Sequence, residues 1–200
     1  MYKLKRAFIA VLLLLSLAVA ANAKAEKPKE NDLYDKGHKS VLMTSYPVKE
    51  NAVYKAKIKR VVDGDTAIIY FLTDDGTRYK EERILFIGVN TPETVDPNRP
   101  VEYYGKEASD FTKSTLTGRR VWLEYDASPT DRYDRHLAYI WLVKPSDINE
   151  TSIRRDMFNA ILLLDGYAKT MIIKPNTRYA KLFGEVQDEA RRERKGLWSE

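Results

Sequence analysis

Val53-Tyr-Lys-Ala-Lys-Ile-Lys-Arg-Val-Val62, Asp63-Gly64-Asp65 and Thr66-Ala-Ile-Ile-Tyr-Phe-Leu72 follow one another without a break. The first ten residues alternate apolar and polar side chains, the period of a half-buried strand, and the acidic triplet after them reads as a tight turn. Thr66 to Leu72 is rich in β-branched and aromatic residues, and Thr73-Asp-Asp-Gly76 closes it with a hairpin signal. Working outward, Arg83 to Val89 is a third strand, mostly apolar and therefore well buried. Val121 to Tyr125 and His136 to Val143 are two more. Helical periodicity covers Val101 to Leu116, with Ala108, Phe111, Thr112 and Thr115 on one stripe and Gly118 as its stop. It returns over Ser152 to Leu164, ending at Gly166, and over Thr177 to Arg194, capped by Thr177 and stopped by Gly196. Five strands with three helices inserted and appended outline an α+β domain, a small closed β-barrel under helical cover.

The residues before this domain carry an address. Lys3, Lys5 and Arg6 precede an apolar run from Ala7 to Ala21, and Ala21-Asn22-Ala23 fits the small-x-small rule for leader cleavage. The run is shorter than the roughly 20 residues that a spanning helix needs, so residues 1–23 read as a signal peptide. The expected location is extracellular, with no stable membrane association after cleavage. Residues 24–50, rich in Lys, Glu, Asp and Asn, read as a flexible segment or propeptide, and residues 51–200 as one domain. The chain has no cysteine, which excludes a disulfide framework and a thiolate metal site. Three of the 34 basic residues and none of the 29 acidic ones lie before Lys24, so the rest carries 31 minus 29, or +2. Affinity for a polyanion must therefore come from local clusters of cations.

Three strings carry chemistry: Asp63-Gly-Asp65-Thr66, Asn90-Thr91-Pro-Glu93 and Asp131-Arg132-Tyr-Asp-Arg135. They supply oxygen ligands for a hard cation, a carboxylate able to act as a base, and arginines able to hold a phosphate in two parallel hydrogen bonds. That set suits phosphodiester cleavage. Glu93, after the conformationally fixed Pro92, has no evident structural duty. The only histidines, His38 and His136, have no ligand spacing for zinc.

In order and wording the strings resemble the staphylococcal nuclease (thermonuclease) family, from about Tyr54 to Trp198. The resemblance implies an OB-fold five-stranded barrel with three helices, and a Ca²⁺ ion held by Asp65, Asn90 and the carbonyl of Thr91. It implies Glu93 as the base that activates water and Arg135 as the phosphate-binding arginine; Arg132, Tyr133, Lys169 and Lys174 are the candidate substrate contacts. The implied function is a secreted, Ca²⁺-dependent endonuclease of low sequence specificity acting on DNA and RNA, single strands favoured; the sequence shows no long apolar surface stripe, so a monomer is expected.

The spacing departs from the family pattern. Leu85 stands where the family carries its second arginine. Arg83, two residues earlier on the same strand face, either reaches the phosphate in its place or caps Glu81 and Glu82. Asn90 replaces an aspartate and Asp134 a glycine. Thr170-Met171-Ile172-Ile173 is one residue shorter than its counterpart and lacks the family's tyrosines. A nuclease-fold binding module with little or no catalysis is the alternative that Leu85 favours.

Overall fold

The computed structural model describes residues 52–72, 78–95, 98 and 100–199. The expected signal peptide at 1–23, the segment 24–50 and the hairpin signal read at 73–76 lie outside the described residues. Five strands close a barrel in the order β1-β2-β3-β6-β5: β1 (Val53–Asp63), β2 (Thr66–Leu72), β3 (Arg78–Phe86), β5 (Arg120–Glu124) and β6 (His136–Trp141). All neighbours are antiparallel except β3 and β6. Alternation decides what fills the barrel. Ala56, Ile58, Ala67, Ile69, Ile84, Phe86, Val121, Leu123, Ala138 and Ile140 point inward and are fully buried. This is the OB-fold α+β architecture expected from the sequence.

Strand β6 is buried on both faces, because the helices cover its outer side. Helix α1 (Gly105–Leu116) packs on β1, and α3 (Phe158–Leu164) and α4 (Ala180–Arg192) pack together. The Tyr139 ring meets Tyr179 at 4.7 Å and Phe183 at 5.9 Å, edge to face. Burying these aromatic surfaces contributes roughly 2 kcal/mol per side chain.

Several boundaries differ from expectation. The second helix is two, α2 (Glu150–Asp156) and α3, because Met157 is extended and bridges Trp141 while Leu142 N–H donates to the Asp156 carbonyl at 2.8 Å. The described residues thus hold four helices rather than three. Helix α1 starts at Gly105, not Val101. Thr177 does not cap α4: its carbonyl accepts from Ala180 at 3.0 Å, and the cap residue is Tyr179.

The strand expected over Arg83–Val89 is also broken. It leaves the barrel at Gly88 (φ 81°) and continues as β4 (Gly88–Asn90), which pairs with β7 (Lys169–Met171) in a separate two-stranded sheet. A Cβ on Gly88 would stand 2.5 Å from the Phe183 ring, itself buried under the barrel wall. Gly88→Ala combines a left-handed backbone with a core collision and is expected to destabilise the fold by about 3 kcal/mol, read as a fall in urea midpoint.

Candidate active site

The turn between β1 and β2 and the end of β4 are built against each other. The place of a Gly64 Cβ is taken by the Thr91 side chain, 2.6 Å away, and Thr112 on α1 donates to the Gly64 carbonyl at 2.8 Å. A side chain on Gly64 would push the acidic turn off the Asn90-Thr91-Pro92-Glu93 corner. Asp63 accepts from the Thr94 hydroxyl at 2.6 Å and its amide at 3.3 Å. Asp65 accepts from the Thr66 hydroxyl at 2.9 Å and from the Thr91 amide at 3.3 Å.

Asp65 is 8 % exposed, and its carboxyl is pushed up to about 6. Burial is the main cause; the Asp63 and Glu93 carboxylates add to it, and the Thr66 and Thr91 hydrogen bonds oppose it. Burial also raises Asp63. No positive side chain figures among these influences. Such a desolvated group of like charges is relieved by a cation. Thr91 Oγ1 lies buried beside it without a hydrogen-bond partner. Asn90 holds its side chain at the exposed rim. Among the described residues no three His, Asp or Glu side chains form a metal cage by themselves, so amide and carbonyl oxygens would have to complete the set. Carboxylate, amide and carbonyl donors fit Ca²⁺.

Glu93 does have a structural duty, contrary to expectation. Its carboxylate accepts from the amides of Thr94 at 3.0 Å and Val95 at 2.8 Å, capping its own loop. The Glu93 amide donates to Glu102 Oε2 at 3.2 Å, and the Glu102 amide returns to the Glu93 carbonyl at 3.0 Å. The corner is thereby fixed from both sides.

The third string folds around Asp131. Arg135 Nε donates to Asp131 Oδ2 at 2.7 Å, Nη2 forms an ion pair with the same oxygen at 2.7 Å, and the Arg135 and Tyr133 amides donate to Oδ1 at 3.0 and 2.9 Å. Burial alone would raise the Asp131 carboxyl, but the Arg135 and backbone hydrogen bonds outweigh it and hold it below the usual range. Arg135 is left 28 % exposed at the mouth of the loop. Arg132 lies 4.7 Å from the Tyr133 ring centre, and that ring is 63 % exposed.

Asp134 adopts φ 58°, the left-handed conformation that explains a glycine at this point of the family string. Asp134→Gly is expected to stabilise the fold by about 0.5–1 kcal/mol, seen as a rise of a few degrees in Tm.

Lys169 pairs directly with Asn90 across β4 and β7, which brings it to the exposed edge of the Asn90–Glu93 corner. Lys174 is exposed in a turn tied to the arginine loop through Asn176, whose side chain bonds both the amide and the carbonyl of Ser128, at 2.7 and 2.9 Å. Ile172, 64 % exposed, stands in the stretch without tyrosines.

Leu85 faces outward but is buried, in register with Thr66 on one side and Leu137 on the other. Arg83 is on the same outer face and exposed. The parallel ladder begins with Ile84 paired to His136, so Arg83 and Arg135 each precede that first pair by one residue, at the end of the ladder. Glu81 is occupied by Lys59 and the Tyr70 hydroxyl rather than by Arg83. Sequence reasoning gave no separate role to Asp63, Thr94, Glu102 or Asp131. Asp63 and Asp131 were visible as extra acids in their strings, whereas Thr94 and Glu102 act through loop geometry that no spacing announces.

An OB barrel that sets a carboxylate-lined corner and an arginine loop on its surface defines a hydrolase of the nuclease class. The chain belongs to the staphylococcal nuclease family: residues 83–200 match the family model described as staphylococcal nuclease homologue. It is 45 % identical over 143 residues to a thermonuclease of Staphylococcus hyicus, covering 72 % of this chain and 75 % of the relative. It is likewise 45 % identical over 141 residues to a thermonuclease of Staphylococcus intermedius, covering 70 % and 74 %. Endonuclease YncB of Bacillus subtilis is 28 % identical over 158 residues, covering 78 % and 67 %.

Proposed function

We propose that this nuclease is an exported, Ca²⁺-dependent endonuclease that hydrolyses phosphodiester bonds in DNA and RNA as a monomer, with single strands favoured and little sequence preference. The observation that carries this reading is Asp65, buried and raised to about 6 among carboxylates, one hydrogen bond from the corner that presents Glu93. Asp65, Asn90 and the Thr91 carbonyl would hold the cation, which when bound supplies positive charge to a phosphoryl oxygen. Glu93 takes the proton of the attacking water as its oxygen bonds to phosphorus, and the P–O bond opposite breaks, its electron pair leaving with the alkoxide. Arg135, held rigid by Asp131, donates to the non-bridging oxygens, where charge grows in the transition state. Arg132, Lys169 and Lys174 hold flanking phosphates, and the open Tyr133 ring offers a base-stacking surface. Export follows from the leader at 1–23; the segment 24–50 is a spacer or propeptide. Among the described residues no helix is long and apolar enough to cross a membrane.

Arg83 is assigned the role of the second arginine on its outward face and its place one residue before the first β3–β6 pair. Arg83→Ala should lower kcat by about 10- to 100-fold; an unchanged rate would remove it from the site. The reading itself is tested by incubating purified protein with a single-stranded DNA 30-mer and with RNA in Ca²⁺ or EDTA. Cleavage in Ca²⁺ alone is expected. Binding without cleavage in either condition would favour the non-catalytic module, for which buried Leu85 is the supporting observation.

A further inference from the structure

Strand register lays basic side chains in a row that leads away from the site. Arg83 on β3 is paired with Ile68 on β2, and Ile68 with Arg60 on β1. Lys57, next on the outer face of β1, is paired with Tyr70 on β2 and with Arg120 on β5. The row is therefore Arg83, Arg60, then Lys57 and Arg120, and it starts at the end of the β3–β6 ladder where Arg135 enters. Arg83 to Arg60 spans two strand spacings, roughly 10 Å.

The backbone is shaped for this row. A β-bulge between Ile58 and Arg60 inserts Lys59, so two successive basic residues are exposed between the buried Ile58 and Val61. Bulges re-aim side chains in this way. Strict alternation would have turned one of the two toward the core.

Among the described residues little of the row's charge is paired. Lys59 pairs with Glu81, which Arg60 also attracts from further away, but among the described residues none of Lys57, Arg60, Arg83 and Arg120 has an acidic group within ion-pair distance. Residues 24–200 carry a net charge of only +2 (31 basic minus 29 acidic). Gathering cations on one wall of so evenly charged a chain costs self-repulsion, which an extended polyanion removes.

The geometry points to an extended substrate track: the outer wall β3-β2-β1-β5 carries the sugar–phosphate backbone of the strand beyond the cleaved bond, gripped by Arg60, Lys57 and Arg120. This rests on the nuclease reading and adds to it that long substrates are held by contacts that short ones never reach.

The test uses the triple variant Lys57→Gln, Arg60→Gln, Arg120→Gln and a control triple of exposed residues elsewhere, Lys144→Gln, Lys181→Gln, Arg192→Gln. Binding of a labelled thymidine 30-mer and of a thymidine dinucleotide is measured with Glu93→Gln added to each, across a salt series. The track triple should weaken 30-mer binding about tenfold or more and lower the log–log salt slope by about 2, three contacts at ~0.7 each. Dinucleotide binding, and dinucleotide cleavage when Glu93 is present, should not change. The inference is overturned if the 30-mer is unaffected, if the dinucleotide loses as much, or if the control triple loses as much. Loss of binding to anionic phospholipid vesicles with the 30-mer unaffected would overturn it too, and would assign the wall to a membrane surface. Lack of cleavage by the parent protein, with the 30-mer loss still present, would sink the nuclease reading and leave the track standing.

Discussion

Glu93→Gln should lower kcat for single-stranded DNA by about 10²- to 10⁴-fold, the range for loss of a positioned general base, with little change in KM. The substitution isolates the proton transfer. Glu93 accepts hydrogen bonds from the Thr94 and Val95 amides, and a glutamine carbonyl oxygen can accept the same bonds. Its backbone contacts with Glu102 do not involve the side chain that changes. The corner should therefore keep its shape and thermal stability while losing its base. Unfolding midpoints measured beside the kinetics check this. A variant that loses activity together with several degrees of Tm would mean that the loop-capping role dominates.

Asp65→Asn should separate metal binding from stability. In the folded chain the Asp65 carboxyl is raised from 3.8 to about 6. A raised carboxyl favours folding while protonated; that contribution is complete below about pH 4 and is lost as pH rises through 6. At pH 8 without metal, ionised Asp65 thus costs on the order of 3 kcal/mol relative to its neutral form. Asparagine is neutral at every pH, although a buried amide facing the Thr91 N–H forfeits about 1 kcal/mol of hydrogen bonding. In EDTA the variant should be about 1–2 kcal/mol more stable than the parent at pH 8, and no more stable at pH 4. Added Ca²⁺ should raise the parent's Tm at pH 8 and leave the variant's nearly unchanged, since a ligand stabilises only the state that binds it. Thermal melts at the two pH values, with and without Ca²⁺, give all four comparisons.

The barrel was legible because its strands obey a period of two, as Ala56, Ile58, Ala67 and Ile69 do. Periodicity could not show where β3 leaves the barrel. Val89 continues the apolar run, and only the left-handed Gly88 against Phe183, 95 residues later in the chain, ends the strand. The short β7 was invisible for a similar reason: three residues paired to β4 carry no pattern of their own. The break at Met157 depends on a bridge to Trp141, a tertiary contact laid over good helical periodicity.

At the site, the strings gave the residue types, and their closeness came from elsewhere. Thr91 fills the space above Gly64, and Thr112 ties the turn to α1, two contacts between segments far apart in sequence. The sequence also raised the question of Leu85 without answering it. Register puts Arg83 on the outer face with Leu85, one residue before the first β3–β6 pair, which is the basis for proposing it as the second arginine.

The most direct measurement is the single-turnover rate of single-stranded DNA cleavage as a function of Ca²⁺ concentration, for the parent, Glu93→Gln and Asp65→Asn. The parent rate should rise from nothing in EDTA to a plateau. Glu93→Gln should keep the same Ca²⁺ midpoint with a plateau lower by about 10²-fold or more, and Asp65→Asn should need far more Ca²⁺ to reach any rate. Cleavage that persists unchanged in EDTA, or a Glu93→Gln plateau equal to the parent's, would contradict a cation at Asp65 working with a base at Glu93.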